Sequence, residues 1–229
     1  MPVYRLSREV AFPDPNGANE DGVVAVGGDL NPDRVLEAYR CGIFPWPHRG
    51  LPLLWFSPDP RMVLEAENLR VSRSLRQTLK KNRYEIRLDS AFADVMRGCA
   101  KTPRKAQHGT WITPQMIECY TELHNRGFAH SAEAWHDGRL VGGLYGVSLG
   151  GMFCGESMFA AQPDASKAAF ATLVGQLKDW GIDLIDAQTY SDHLARFGAV
   201  EWPRSRYLAA LAVALGKPTR KGPWKLERA

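Results

Sequence analysis

The sequence predicts an α+β protein in two parts, a small irregular N-terminal domain over residues 1–63 and a larger domain over 64–229 with a mixed sheet and helices on both sides. Three observations predict it. The first sixty residues are crowded with Pro, Gly and Trp, as in Phe12-Pro13-Asp14-Pro15, Gly27-Gly28-Asp29-Leu30 and Ile43-Phe44-Pro45-Trp46-Pro47, which is turn chemistry rather than long regular elements. Residues 130–159 hold three alternating runs joined by Asp137-Gly138 and Gly150-Gly151, the pattern of an antiparallel meander. Finally, a helix-period row (Phe170, Leu173, Val174, Leu177, Trp180) separates the apolar runs 153–159 and 184–188, so this unit reads strand, loop, helix, strand.

Each element has its own signals. In the N-terminal part Asn31 caps a helix, Pro32 occupies its first turn, Val35, Leu36 and Tyr39 form its apolar side, and Gly42 stops it. The punctuation stops between Arg61 and Glu67, where the domain boundary is expected to fall. Val71, Leu75 and Leu79 recur every four residues while Arg73, Arg76, Lys80 and Arg83 form a second row, giving an amphipathic helix with a basic face. A strand follows at 84–88, then a helix at 92–99 that Ser90 is placed to cap, then a basic loop at 101–108. Thr113 and Pro114 start a helix with Met116, Ile117, Tyr120 and Leu123 inside and Gly127 at its end. The last helix runs 204–215, between Pro203 and Gly216.

At 229 residues and 45% hydrophobic content the chain can bury a real core. No apolar stretch is long enough to span a bilayer, and Met1-Pro2-Val3-Tyr4-Arg5 lacks the apolar centre of a signal peptide, so a cytoplasmic protein without membrane partners is expected. Cys41, Cys99, Cys119 and Cys154 are scattered, with no zinc-ligand spacing; they read as reduced thiols, and no metal is expected. Charge is unevenly placed. Residues 70–105 carry eleven Lys/Arg against three acids, and 200–229 carry seven against two, although the whole chain is only +4. Basic regions on an otherwise acidic chain suit a polyanion, the alternative being a solvated basic helix.

The chemistry is signalled by polar groups inside apolar runs. Glu156 interrupts 153–159, and Asp186 and Gln188 interrupt 184–188. A buried carboxylate is costly without a partner or a task. Strand alternation puts Asp186 and Gln188 on one face ~7 Å apart. The helical crossover between the runs makes the two strands parallel neighbours, so that Glu156 and Asp186 face one cleft at the strand C-termini. The alternative is a structural ion pair or a hydrogen-bonded edge.

The order of meander, helix, strand resembles the acyltransferase fold of the N-acetyltransferase (GNAT) superfamily. Members that use coenzyme A hold its pyrophosphate on a Gly-rich loop at the start of that helix. Here the stretch is Ala160-Ala161-Gln162-Pro163-Asp164-Ala165-Ser166-Lys167, without glycine and with a carboxylate where phosphate would sit, so no cofactor is expected. A closer resemblance comes from Gly42-Ile43-Phe44-Pro45-Trp46, Trp55-Phe56-Ser57-Pro58-Asp59-Pro60-Arg61, Gly109-Thr110-Trp111-Ile112-Thr113, Leu140-Val141-Gly142-Gly143-Leu144-Tyr145-Gly146-Val147, Gly155-Glu156-Ser157-Met158-Phe159 and Leu184-Ile185-Asp186-Ala187-Gln188. In order and spacing these resemble the leucyl/phenylalanyl-tRNA--protein transferases.

That resemblance implies transfer of Leu, Phe or, less readily, Met from aminoacyl-tRNA to a protein N-terminus bearing Arg or Lys, marking it for N-degron proteolysis. An aminoacyl ester is already activated, which fits a chain with no phosphate-binding loop. The resemblance further implies that Gln188 bonds the amine or reacting carbonyl, that Asp186 orients it, and that Glu156 orients the ester or attracts the acceptor, unless Glu156 merely pairs with Ser166 or Lys167. An apolar pocket for the donor side chain is expected from Leu144, Phe153, Met158, Phe170, Leu173, Leu177 and Ile185, residues that plain core would also use. Trp46 and Trp111 are expected to stack the 3′-adenosine, and Arg73, Arg76, Lys80 and Arg83 to meet phosphates. A monomer is expected. A coenzyme A-dependent N-acyltransferase and a noncatalytic RNA-binding module remain open as alternatives.

Overall fold

Turn chemistry builds the N-terminal part. The computed structural model describes residues 4–48, 50–102 and 110–227; the chain start at Met1 to Val3 and Arg104, Lys105 and His108 of the basic loop lie outside the described residues. Strands β1 (Tyr4–Leu6), β2 (Val23–Gly27), β3 (Phe44–Pro45) and β4 (Leu54–Phe56) form a sheet in the order β1-β2-β4-β3. Helix α1 (Pro32–Arg40) enters through Asn31, whose side chain accepts from the Asp33 N–H, as the capping signal predicts. It stops because Gly42 takes φ +73, and a side chain there would come within 2.7 Å of Leu208.

The second sheet begins at once. Strand β5 (Arg61–Glu65) already belongs to it, followed by α2 (Arg73–Lys80), β6 (Glu85–Leu88), α3 (Phe92–Lys101), α4 (Pro114–Asn125), β7 (Ala129–His136), β8 (Arg139–Leu149), β9 (Met152–Ala160), α5 (Ala165–Asp179), β10 (Leu184–Gln188), α6 (Asp192–Ala195), β11 (Val200–Trp202) and α7 (Arg204–Leu215). Ser72 caps α2 and Thr113 caps α4, each accepting a backbone N–H three residues on. Ser90 does not cap α3. Its hydroxyl is drawn to the buried carboxylate of Glu133 at 2.8 Å, and Ala91 takes the cap position.

The sheet order is β11-β5-β10-β9-β8-β7-β6, antiparallel except for the pair β9 and β10. The crossover helix α5 thus joins parallel neighbours, as expected. One core, on the side of the N-terminal sheet, contains Trp55, Tyr39, Tyr120, Tyr145 and Tyr207; the other, under α5, contains Phe153, Phe170, Leu173, Leu177 and Trp224. Helices therefore cover both faces. Among the described residues no helix is long and apolar enough to cross a membrane.

Candidate active site

Asp186 and Cys154 are the last pair in register between β9 and β10; beyond them the strands part. Asp186 is fully buried and fully occupied. Arg61, from the start of β5, grips it with Nε at 2.9 Å and Nη2 at 2.6 Å, Tyr207 donates its hydroxyl at 2.9 Å, and the Gln188 N–H donates at 2.8 Å. Arg61 also bonds the Gly42 carbonyl at 3.2 Å and lies between the rings of Phe44 and Tyr207. Burial alone would raise the Asp186 pKa, but the Arg61 charge and hydrogen bonds outweigh it and hold the carboxyl below its ordinary value.

Glu156 is the opposite case. Two bulges aim it. The β8–β9 register slips at Gly146, which pairs with Gly155 while Tyr145 pairs with Ser157, leaving Glu156 as the extra residue. Gly146 is needed there, since a Cβ would meet the Cys154 carbonyl oxygen at 2.2 Å. On β10 the register slips between Asp186 and Gln188, and Gln188 takes φ +64. The plain alternation expected of 184–188 is thereby broken, and the Gln188 amide turns to Glu156, with Nε2 2.7 Å from Oε1.

Tyr39 donates to Glu156 Oε1 at 2.7 Å and touches the Tyr120 hydroxyl at 2.6 Å. Among the described residues no cation is bonded to this carboxylate. Burial pushes its pKa up to about 7, against the Tyr39, Cys154 and Gln188 bonds that favour the ionised form. Ser166 and Lys167, the structural partners considered for Glu156, do not bond it. Cys154 lies between the two carboxylates, its Sγ 3.3 Å from Asp186 Oδ2, 3.6 Å from Glu156 Oε1 and 3.4 Å from Gln188 Nε2. Burial and then those two negative charges hold its thiol protonated.

A cavity of about 560 Å³ opens over this cluster, lined by both cores, so it runs through the sheet where β9 and β10 part. Glu156, Asp186 and Gln188 line it, and so do Trp46, Trp111, Leu144, Met158, Phe170 and Ile185. Phe153, Leu173 and Leu177 do not; they are packed in the core beneath. Leu173 and Leu177 share a face of α5 with Phe170, but lie about one and two turns further along the helix, ~5 and ~10 Å beyond Phe170. Phe153 points toward the Trp224 ring, 6.1 Å away.

Arg73, Arg76 and Lys80 line a separate shallow depression on α2, with Arg83 just after the helix and its guanidinium 5.4 Å from the Tyr84 ring. Asp164, expected to face an approaching phosphate, has φ +64, makes no cap, and is bonded by Lys167 Nζ at 2.8 Å.

Five residues of the cluster escaped the sequence reading: Arg61, Tyr39, Tyr120, Tyr207 and Cys154. Arg61 had a usable signal, because it abuts the apolar run Met62-Val63-Leu64 just as Asp186 abuts its own. The tyrosines had none, since each fits the apolar side of its helix.

The sheet is parted between two parallel strands, with a buried carboxylate and amide at the gap, an arrangement that suits an acyl-transfer enzyme. The family profile for leucyl/phenylalanyl-tRNA protein transferase matches residues 63–212, and that for its N-terminal domain matches residues 28–59. Leucyl/phenylalanyl-tRNA--protein transferases from Anaeromyxobacter sp. strain Fw109-5 and Myxococcus xanthus strain DK1622 are each 57% identical to this chain, over 99% and 98% of it and 97% of each relative. One from Nitratidesulfovibrio vulgaris strain DP4 is 55% identical over 99% of this chain and 97% of its own length. The chain belongs to the leucyl/phenylalanyl-tRNA protein transferase family.

Proposed function

We propose that the protein moves Leu or Phe, and less readily Met, from aminoacyl-tRNA to the α-amino group of proteins that begin with Arg or Lys, acting as a cytoplasmic monomer that marks them for N-degron proteolysis. The observation that supports it best is one cavity uniting an apolar recess, two tryptophans and a buried Glu156–Gln188 pair. Leu144, Met158, Phe170 and Ile185 take the donor side chain, and Trp46 and Trp111 stack the terminal adenine, at ~1–3 kcal/mol per stacked base. The row Arg73, Arg76, Lys80 and Arg83 meets the phosphates behind it, with no sequence reading.

The reaction joins the acceptor nitrogen to the ester carbonyl carbon and breaks the carbon–oxygen bond to the ribose; one proton leaves the nitrogen and one reaches the ribose oxygen. Gln188 Oε1, unbonded among the described residues, accepts an N–H of the attacking amine while Nε2 stays on Glu156. Asp186 holds the Gln188 backbone through its N–H and acts as a fixed support. Glu156, poised near neutrality, attracts the cationic acceptor and draws off its proton. An α-amine titrates near ~8, so a modest base suffices.

Radiolabelled leucyl-tRNA incubated with a peptide beginning in Arg tests the reading. Label should appear in the peptide, and not when the peptide's amino group is acetylated. Label transfer from leucyl-coenzyme A but not from leucyl-tRNA would overturn it.

A further inference from the structure

We propose that the first turn of α5, with the Ser166 hydroxyl, seats a phosphodiester of the donor's 3′ strand, an inference that rests on the aminoacyl-tRNA donor proposed above. Ser166 is only 6% exposed, yet it lines the cavity and its hydroxyl has no hydrogen-bond partner among the described residues. The hydroxyl is open to the cavity, where an arriving acceptor can take its hydrogen bond without displacing a protein partner. The N–H groups of Ser166 and Lys167 stand in the first turn of a 15-residue helix, where no intrahelical acceptor exists for them, and of that turn Ser166 reaches the cavity.

The charges around this end of the cavity agree. The carboxylate of Asp164 neither caps the helix nor stands alone, being bonded to Lys167. His193 lines the same cavity, and its pKa is lowered by burial and then by the positive charges of Lys167 and Arg196. Lys167 thus offsets the Asp164 carboxylate, the group that would otherwise repel a phosphate at the start of this helix. A track leads to this end of the cavity from outside. Helix α2 packs on α5, and Tyr84, directly after the basic row, donates its hydroxyl to the Pro163 carbonyl at 2.7 Å, at the foot of α5. A strand whose outer phosphates meet Arg73, Arg76 and Lys80 thus has its next anionic seat at Ser166 before its terminal adenosine turns into the cavity.

A ladder of donors tests the seat: leucyladenosine, which has no phosphate, leucylated cytidylyl-adenosine, which has one phosphodiester, and leucyl-tRNA. Ser166→Ala should lower kcat/KM on the two phosphate-bearing donors about 10-fold relative to leucyladenosine, the size of one hydrogen bond to a charged group. Asp164→Asn, which suits the left-handed backbone there and frees Lys167, should act oppositely, raising that ratio about 3-fold and steepening its salt dependence. Competition by unacylated cytidylyl-adenosine against adenosine reads the same ratio without turnover. A Ser166→Ala protein with an unchanged melting temperature that loses activity equally on all three donors, or on none, would overturn the seat. If the unaltered protein uses no leucylated donor, the proposed function fails and the seat falls with it.

Discussion

Asp186 and Glu156 are carboxylates on neighbouring strands, both out of solvent and both within reach of the Cys154 thiol, yet the fold treats them in opposite ways. Asp186 has a guanidinium in a two-point grip and two further donors, and its pKa falls. Among the described residues Glu156 has neutral donors, Tyr39, Tyr120, Gln188 and Cys154, and its pKa rises to about 7. The difference separates framework from chemistry. A neutralised carboxylate has no proton affinity left near pH 7, while one that burial leaves uncompensated exchanges a proton at little cost there.

The largest effect should come from breaking the framework. Arg61→Leu leaves Asp186 buried without its cation and should destabilise the protein by ~3–5 kcal/mol, read from urea unfolding. Pairing it with Asp186→Asn should recover most of the loss. If the single and double variants were equally unstable, packing rather than charge would be Arg61's contribution.

Glu156→Gln should leave the fold intact but lower kcat/KM by ~100-fold or more. It should also remove the inflection near pH 7 from the rate profile while leaving that of the acceptor amine at ~8. The stability sign is definite. A carboxyl whose folded pKa lies above its unfolded one contributes fully below about 4.5 and loses that contribution as pH rises through about 7. At pH 8, Gln in place of Glu156 should therefore stabilise the protein by ~2–3 kcal/mol, a gain that disappears at pH 4. An inflection that survives in Glu156→Gln assigns the titration to another group.

Gln188→Ala should reduce turnover ~10–100-fold with little change in stability, because its side chain bonds only Glu156 and Cys154. Cys154→Ala should do least, ~1 kcal/mol in stability, and Cys154→Ser should restore it. The larger Cys154→Ala effect is expected in the pH profile: losing the thiol bond moves the Glu156 inflection to higher pH. An unmoved inflection would make Cys154 a space-filler between the two carboxylates.

How legible all this was differs residue by residue. Glu156, Asp186 and Gln188 stood out because each violates an apolar run, and the meander and crossover stood out through Asp137-Gly138 and the period of α5. The reach of the pocket along α5 was not legible, since Phe170, Leu173 and Leu177 share one helix face and only the tertiary opening decides which of them is at the cavity. Nor were the two bulges. Alternation predicts Gln188 beside Asp186 on one face; the register slip that turns it toward Glu156 comes from pairing with β5, whose residues lie over a hundred positions earlier. Tyr39, Tyr120 and Tyr207 read as core because their rings are core, and only the hydroxyls serve the site.

Arg61 bonds residues 42, 186 and 207, so a single guanidinium ties together the stop of the first helix, the strand β10 and the last helix. No contiguous piece of this chain can inherit the site. Altering Arg61 or Asp186 alone strands the other's charge out of reach of water, so a change at either position is tolerated only together with a change at the other.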